Sequence, residues 1–279
     1  MHLYLSDLDG TLLQPDATVS DYTRSVLNRL ADENIHFSVA TARTAATVRH
    51  ILAGVTISAP VILMNGACVY DLKTNRYVKA EDIGAQGRAV LFEALERRQM
   101  SGFVYTVDNN RLETFYEQLD NPAARAFVAE RESRYGKVFQ RVDRFAADLA
   151  DKTVVYYSLS DRAEKLEMLA RDLGASGSLR VEFYRDIYQP GHYFLEACAL
   201  TASKLNAMRF LRQTCGYTAV TCFGDNLNDL PLFSGCEHCL AVANALPEVK
   251  ERADGLIGSN TEDGVARWLS EHAGLKGAS

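Results

Sequence analysis

His2-Leu3-Tyr4-Leu5-Ser6-Asp7-Leu8-Asp9-Gly10-Thr11 opens as a β-prone run and ends in two carboxylates, a glycine and a threonine. Such a change marks a strand running into a loop. Working outward, Ser20 is placed to cap a helix in which Tyr22, Val26 and Leu30 recur at four-residue spacing with Leu27 beside them. Residues 35–40 form a second strand that ends at Thr41, and residues 45–52 a second helical stretch. Pro60-Val61-Ile62-Leu63-Met64 is a third strand, ending at Asn65-Gly66. Strands and helices alternating in this way predict an α/β core, a Rossmann-like, doubly wound parallel sheet with helices on both faces.

From about Glu81 the texture changes. A helix over 85–98 precedes Phe103-Val104-Tyr105-Thr106-Val107 and Leu112-Glu113-Thr114-Phe115-Tyr116, which the turn-prone Asp108-Asn109-Asn110 joins into a hairpin. Strand-like 153–159, a helix over 162–173 and strand-like 180–184 follow. Residues 83–189 are therefore assigned to an inserted α+β domain. Residues 1–82 and 190–279 become the two parts of the core, with a return near Gln189-Pro190-Gly191. The core is expected to resume with a strand over 193–198, a helix over 203–214, and Ala219-Val220-Thr221-Cys222-Phe223 running into Gly224-Asp225-Asn226-Leu227-Asn228-Asp229.

Four strand ends thus carry polar groups: Asp7 and Asp9, Thr41, Asn65, and Asp225 with Asp229. In open α/β sheets ligands sit outside the carboxyl ends of the strands, so these groups can converge from distant positions. Carboxylates two residues apart at a strand end suit a hard cation, since magnesium asks for oxygen ligands in near-octahedral array. Asp7 and Asp225 can supply those oxygens. Asp7 can also accept a phosphoryl group, and Asp9 can protonate the leaving oxygen and later deprotonate a water. The Thr41 hydroxyl, the Lys204 ammonium and backbone amides can balance charge on the phosphoryl oxygens.

Asp7-Leu8-Asp9-Gly10-Thr11-Leu12, Thr41 after a strand, Lys204 opening a helix and Gly224-Asp225-Asn226-Leu227-Asn228-Asp229 resemble the four motifs of the haloacid dehalogenase superfamily. Met64-Asn65-Gly66-Ala67, the size of the insert, and Ala243-Asn244-Ala245-Leu246-Pro247-Glu248-Val249-Lys250 resemble its Cof-like phosphatases. The resemblance implies a magnesium-dependent phosphatase of small phosphorylated metabolites, with residues 83–189 as a cap that sets specificity. It implies Asp7 as nucleophile and metal ligand, Asp9 as acid/base and as ligand through its carbonyl, and Asp225 as third ligand with Asp229 behind it. Phosphate would be held by Thr41, Lys204 and Asn228, with backbone amides near Leu8 and Ala42. Ala42, Leu205 and Asn226 stand where the family often has glycine, which bears on the shape of the phosphate loops.

Arg43 is open between a substrate contact and a helix-start charge, and Asn65 between a substrate contact and a cap on its own turn. Cys236-Glu237-His238-Cys239 offers no second close pair of ligands for zinc, and the six cysteines are expected as reduced thiols. The aromatics Phe183, Tyr184, Tyr188 and Tyr193 are expected in core or interface, and His192 as a satisfied structural histidine. Other functions of the same motifs are a phosphomutase, which returns the phosphoryl group to substrate, and a non-catalytic phosphometabolite sensor.

The formal charge of −6 over 279 residues argues against a nucleic-acid partner, which calls for a basic face. No apolar run reaches membrane-spanning length and no secretion signal is visible, so a cytoplasmic location is expected, with no membrane and no obligate protein partner evident.

Overall fold

The computed structural model describes residues 1–119, 121–185 and 191–275. Tyr188 and the expected return at Gln189-Pro190 lie outside the described residues. The chain forms two compact units, one from Met1–Val78 with Ser203 onward, the other Lys79–Ala202.

The first unit begins with β1 (His2–Ser6), α1 (Asp21–Asp32), β2 (His36–Val39), α2 (Ala45–Ile51), β3 (Val61–Leu63), β4 (Cys68–Asp71) and β5 (Arg76–Ala80), along which the chain passes into the second unit. In the second unit follow α3 (Gly84–Arg98), β6 (Phe103–Asp108), β7 (Arg111–Tyr116), α4 (Pro122–Tyr135), β8 (Phe139–Arg141), α5 (Phe145–Asp148), β9 (Val154–Arg162), α6 (Ala163–Ala175), β10 (Arg180–Arg185) and β11 (His192–Cys198). The first unit is completed by α7 (Lys204–Cys215), β12 (Ala219–Gly224), α8 (Leu230–Phe233), β13 (His238–Val242), α9 (Pro247–Lys250), β14 (Gly255–Ile257) and α10 (Gly264–His272).

The main sheet of the first unit runs β14-β13-β12-β1-β2, all parallel, and a parallel bridge between Ala40 and Ile62 sets β3 beside β2. Chain order therefore moves outward from β1 on one side and from β12 on the other. Their junction is the switch point at which open α/β sheets bind ligands. β1 and β12 are buried almost throughout, as strands covered on both faces must be, which is why each reads as a near-continuous apolar run.

α1 starts where expected, the Ser20 hydroxyl accepting from Thr23 N at 3.0 Å. Its buried stripe is Thr23, Val26, Leu27 and Leu30, and the three aliphatic side chains stabilise the packing by roughly 1.5–3 kcal/mol each. Tyr22 departs from the expected stripe: it is exposed, with the Arg267 guanidinium 5.2 Å from its ring.

The second unit is a six-stranded sheet ordered β10-β11-β9-β6-β7-β8, antiparallel except where β8 joins β7. The expected hairpin is β6–β7, closed by Asn109 (φ 48°) and Asn110 (φ 63°), both in the left-handed region that a two-residue loop demands. Leu91 and Leu95 of α3 and Leu166, Leu169 and Leu173 of α6 pack with Val104, Phe115, Tyr157 and Leu195 of the sheet. The run over 193–198, expected to resume the core, instead lies inside this sheet as β11, paired with β9 and β10. Its pattern specifies a strand but carries nothing about which edge will accept it. The aromatics divide by strand alternation: Phe183 stacks on Tyr193 at 5.1 Å against the helices, while Tyr184 faces Phe194 at 5.7 Å on the other side. His192 is not the satisfied histidine expected, since among the described residues its buried Nδ1 has no partner.

A second correction concerns the cysteines. Cys222 of β12 and Cys236 are joined in a disulfide, their Cα atoms 6.4 Å apart, while Cys68, Cys198, Cys215 and Cys239 are free thiols. The short turn through α8 returns the chain beside β12, a proximity that cysteine spacing alone does not reveal. Among the described residues no helix is long and apolar enough to cross a membrane.

Gly66 decides how α7 meets the sheet. Its φ is +97°, and a Cβ there would overlap the main chain of Ser203, the residue that caps α7 by accepting from Asn206 N at 3.0 Å. Gly66→Ala should therefore cost roughly 2–4 kcal/mol, combining left-handed strain with overpacking. Urea denaturation of the two proteins measures it, and a loss under about 0.5 kcal/mol, the range of an unremarkable surface change, would show that the contact yields freely.

Candidate active site

β1 and β12 stay paired until the chain leaves the sheet, with Asp7 N donating to Phe223 O at 3.0 Å. Past that point Asp7 and Asp225 emerge from neighbouring strands. Asp7 is 6% exposed, Lys204 2% and Asp229 0%. Lys204 Nζ donates to Asp7 Oδ1 at 2.6 Å and to Asp229 Oδ1 at 2.7 Å. A cation at the first position of a helix opposes the helix dipole, so α7 gains nothing locally from this lysine. Its place is set by the carboxylates it reaches.

Asp229 has both oxygens engaged. Oδ2 accepts from the main-chain N–H groups of Asp225 at 3.0 Å and Asn226 at 3.2 Å, which ties down the loop carrying Asp225. Thr11 Oγ1 donates to Asp225 Oδ1 at 2.8 Å, joining the first acidic loop to the second. Gly10 permits that approach: its φ is +78°, and a Cβ would overlap Asp225 Oδ2.

The electrostatics follow from burial of like charges. Burial pushes the Asp7 carboxyl well above the usual carboxylate range; Lys204 pulls it back, and Asp229, Asp225 and Asp9 raise it again. Burial, then the charge of Asp229, pushes Asp225 up to about 7, against the lowering effects of Thr11 and Lys204. Burial alone would lower the Lys204 ammonium, yet Asp229 and Asp7 hold it above its ordinary value. One carboxylate oxygen from each of Asp7, Asp225 and Asp229 lies within 4.8 Å of the others. A single ammonium among these carboxylates leaves negative charge over, and their hard oxygens are the donors that a divalent, oxygen-preferring cation takes. The residues fit such an ion.

The remaining expected residues divide into two sets. Arg43 grips Asp9 in a bidentate pair, Nε to Oδ2 at 2.7 Å and Nη2 to Oδ1 at 2.5 Å, a partner that neither reading of Arg43 anticipated. The Thr41 hydroxyl accepts from Arg43 N at 3.2 Å, and Thr41 O accepts from Asn65 N at 3.0 Å. Asn65 is buried with φ 52°, and its Oδ1 accepts from Asn228 Nδ2 at 3.2 Å, so two expected phosphate-site residues meet each other. Leu8 and Ala42 take no side-chain part: Leu8 is fully buried, and its carbonyl accepts from Thr11, Leu12 and Leu13 N–H groups. Thr11 and Asn244, whose Nδ2 donates to Gly10 O at 2.7 Å, received no role from the sequence. Only the side-by-side register of β1 and β12 brings Thr11 to Asp225.

The profile of the haloacid dehalogenase-like hydrolases matches residues 4–269. The pyridoxal phosphate phosphatase YbhA of Escherichia coli (strain K12) is 24% identical over 95% of this chain and 96% of its own. The 5-amino-6-(5-phospho-D-ribitylamino)uracil phosphatase YcsE of Bacillus subtilis (strain 168) is also 24% identical, over 94% and 92%. The crystal structure of a haloacid dehalogenase-like hydrolase from Bacteroides thetaiotaomicron superposes with a TM-score of 0.78 at 23% identity, covering 96% of this chain and 98% of that one, and shares the fold.

A carboxyl that titrates near 7 when folded and near 4 when unfolded binds more protons in the folded chain between those values. Without metal, Asp225 should thus make the protein less stable as pH rises from about 4 to about 7. Asp225→Asn should remove that loss and stabilise the metal-free protein at pH 8 by on the order of 4 kcal/mol. Urea midpoints in chelator at pH 5 and pH 8 measure it; equal stability of the two proteins at pH 8 would show that the Asp225 carboxylate bears no such penalty from burial and from Asp229.

Proposed function

The chain belongs to the haloacid dehalogenase-like hydrolases, and from that premise we propose that it is a magnesium-dependent phosphatase of small phosphomonoesters, sugar phosphates or related phosphometabolites, working through an aspartyl phosphate on Asp7. The observation that carries this reading is the buried Asp7–Lys204–Asp229 chain at the switch point of the sheet, with Asp225 beside it.

An oxygen of Asp7 attacks phosphorus, the bond from phosphorus to the leaving oxygen breaks, and Asp9 gives that oxygen its proton. Water then attacks the phosphorus of the aspartyl phosphate, Asp9 takes the proton of the water, and the Asp7–phosphorus bond breaks to release inorganic phosphate. The carboxylates of Asp7 and Asp225 and the Asp9 carbonyl would hold Mg2+, which when bound neutralises charge between the nucleophile and the phosphoryl oxygens. Asp229 keeps Lys204 and the Asp225 loop in place. Lys204, the Thr41 hydroxyl, Asn228 and amides near Leu8 and Ala42 bind the phosphoryl oxygens. Arg43 fixes the rotamer of Asp9, the group that moves the proton.

Selectivity is assigned to the second unit, Lys79–Ala202. Two relatives at the same 24% identity are named for different phosphorylated substrates, which supports a shared core chemistry with separately varied recognition.

Asp7→Asn should lower phosphate release by at least about 10³-fold, with the fold retained by circular dichroism, since the amide keeps the shape and loses the nucleophile. The assay is a panel of phosphorylated sugars, nucleotides and cofactors with Mg2+ and no bisphosphate activator, together with borohydride trapping of the acyl phosphate. Substantial turnover by the variant would remove Asp7 from the chemistry, and full activity after exhaustive chelation would remove the metal.

A further inference from the structure

Asn244 sits in the turn after β13, exposed, and is joined at both ends of its amide. Nδ2 donates to Gly10 O at 2.7 Å, and Oδ1 accepts from Asn260 N at 3.0 Å. The two partners fix which end of the amide is which, because a carbonyl can only accept and a main-chain N–H can only donate. Two residues on, Leu246 N donates to Asp225 O at 2.9 Å. One turn therefore reaches the main chain of both acidic loops, the one with Asp7 and Asp9 and the one with Asp225.

Asn260 anchors this turn from behind. Its Nδ2 donates to Leu13 O at 2.8 Å, and its own carbonyl accepts from Gln14 Nε2 at 3.2 Å. Gln14 Nε2 also reaches Asp263 Oδ1 at 3.0 Å, away from the carboxylates of the site. Gly10 O is the carbonyl next along the chain from that of Asp9, so a bond to it orients the Gly10–Thr11 peptide and restrains the turn that begins at Asp9. The loops otherwise meet through Thr11 and Asp225, across a gap that like charges tend to widen.

We propose that Asn244 is a positioning residue for the cation site: its side-chain amide holds the Asp9–Gly10 turn at a fixed distance from the Asp225 loop, and so sets the affinity for Mg2+. The proposal rests on the reading above for its metal and reaction, and it acts through Gly10 without touching substrate.

Asn244→Asp separates the two ends of the amide. It still accepts from Asn260 N, but it presents an oxygen to Gly10 O, so donation becomes repulsion. Loss of one such bond corresponds to roughly three- to tenfold in an equilibrium constant, and the added repulsion carries the expectation to about tenfold. Mg2+ binding, by calorimetry on the substrate-free protein, should weaken about tenfold in N244D, and the Mg2+ activation constant should rise by the same factor, while kcat at saturating Mg2+ stays within about threefold. N244A, which loses the donor without the repulsion, should weaken binding about three- to fivefold and serves if N244D does not fold. Gln14→Ala, which loosens the same network away from Gly10, should leave Mg2+ binding unchanged. Wild-type Mg2+ affinity in both Asn244 variants, or an equal loss in Q14A, would overturn the proposal. A wild-type protein that binds Mg2+ but releases no phosphate would sink the phosphatase reading, and the calorimetric difference would still decide the role of Asn244.

Discussion

Several carboxylates must share the ends of two adjacent parallel strands, and everything around the site answers to that crowding. At 4.8 Å and an effective dielectric near 20, two unit charges repel by about 3–4 kcal/mol, so three unrelieved carboxylates would cost as much as a small domain has in reserve. Relief comes in three forms. Lys204 is buried between two of the carboxylates, main-chain N–H groups of Asp225 and Asn226 point at a third oxygen, and the Thr11 hydroxyl takes one of Asp225. Each group needs an exact approach, which explains a glycine at position 10 with positive φ and another at 66 where α7 comes close.

The fold supplies these approaches because it is wound outward from one seam. With Ser6 beside Phe223 in parallel register, the next residues of both strands must leave the sheet together, and whatever they carry meets there. Lys204 arrives from the helix that precedes β12, and Thr41 and Asn65 from the strand ends on the other side. The separation of 197 positions from Asp7 to Lys204 spans the whole second unit, which has its own sheet and core. An insertion there leaves the seam intact, since both ends of the excursion return to the same unit.

The seam was legible in the sequence because strand ends are marked by a change of residue type: apolar runs stop at Asp7, Thr41, Asn65 and Asp225. Ser20 announced its helix by the same logic, since a hydroxyl that accepts a main-chain N–H acts within three residues. What escaped was non-local. β11 has the pattern of a strand and no local sign of its neighbours, so its sheet was misassigned. The Cys222–Cys236 pair depends on where the chain turns after α8, and the Arg43–Asp9 pair on the distance between two loops. Tyr22 fell on the exposed side because four-residue spacing drifts against the 3.6-residue turn, and the true stripe begins one residue later, at Thr23.

A site built this way would be coupled to any cation it holds. Buried carboxylates held above their usual range destabilise the fold, and a divalent cation among them would take the same groups as ligands, so that occupancy and stability would rise together. The coupling limits how the site can vary. Replacing Asp225 or Asp229 with a neutral residue would ease the repulsion, but the first change takes one carboxylate from the acidic cluster and the second leaves Lys204 with one carboxylate in place of two. A buried ammonium with half its partners is itself costly, so Asp229 and Lys204 can change only together. The outer groups, Thr11 and Asn244, carry no charge, and each gives one hydrogen bond to an acidic loop. The core of the second unit, aliphatic and aromatic throughout, shares none of these charges.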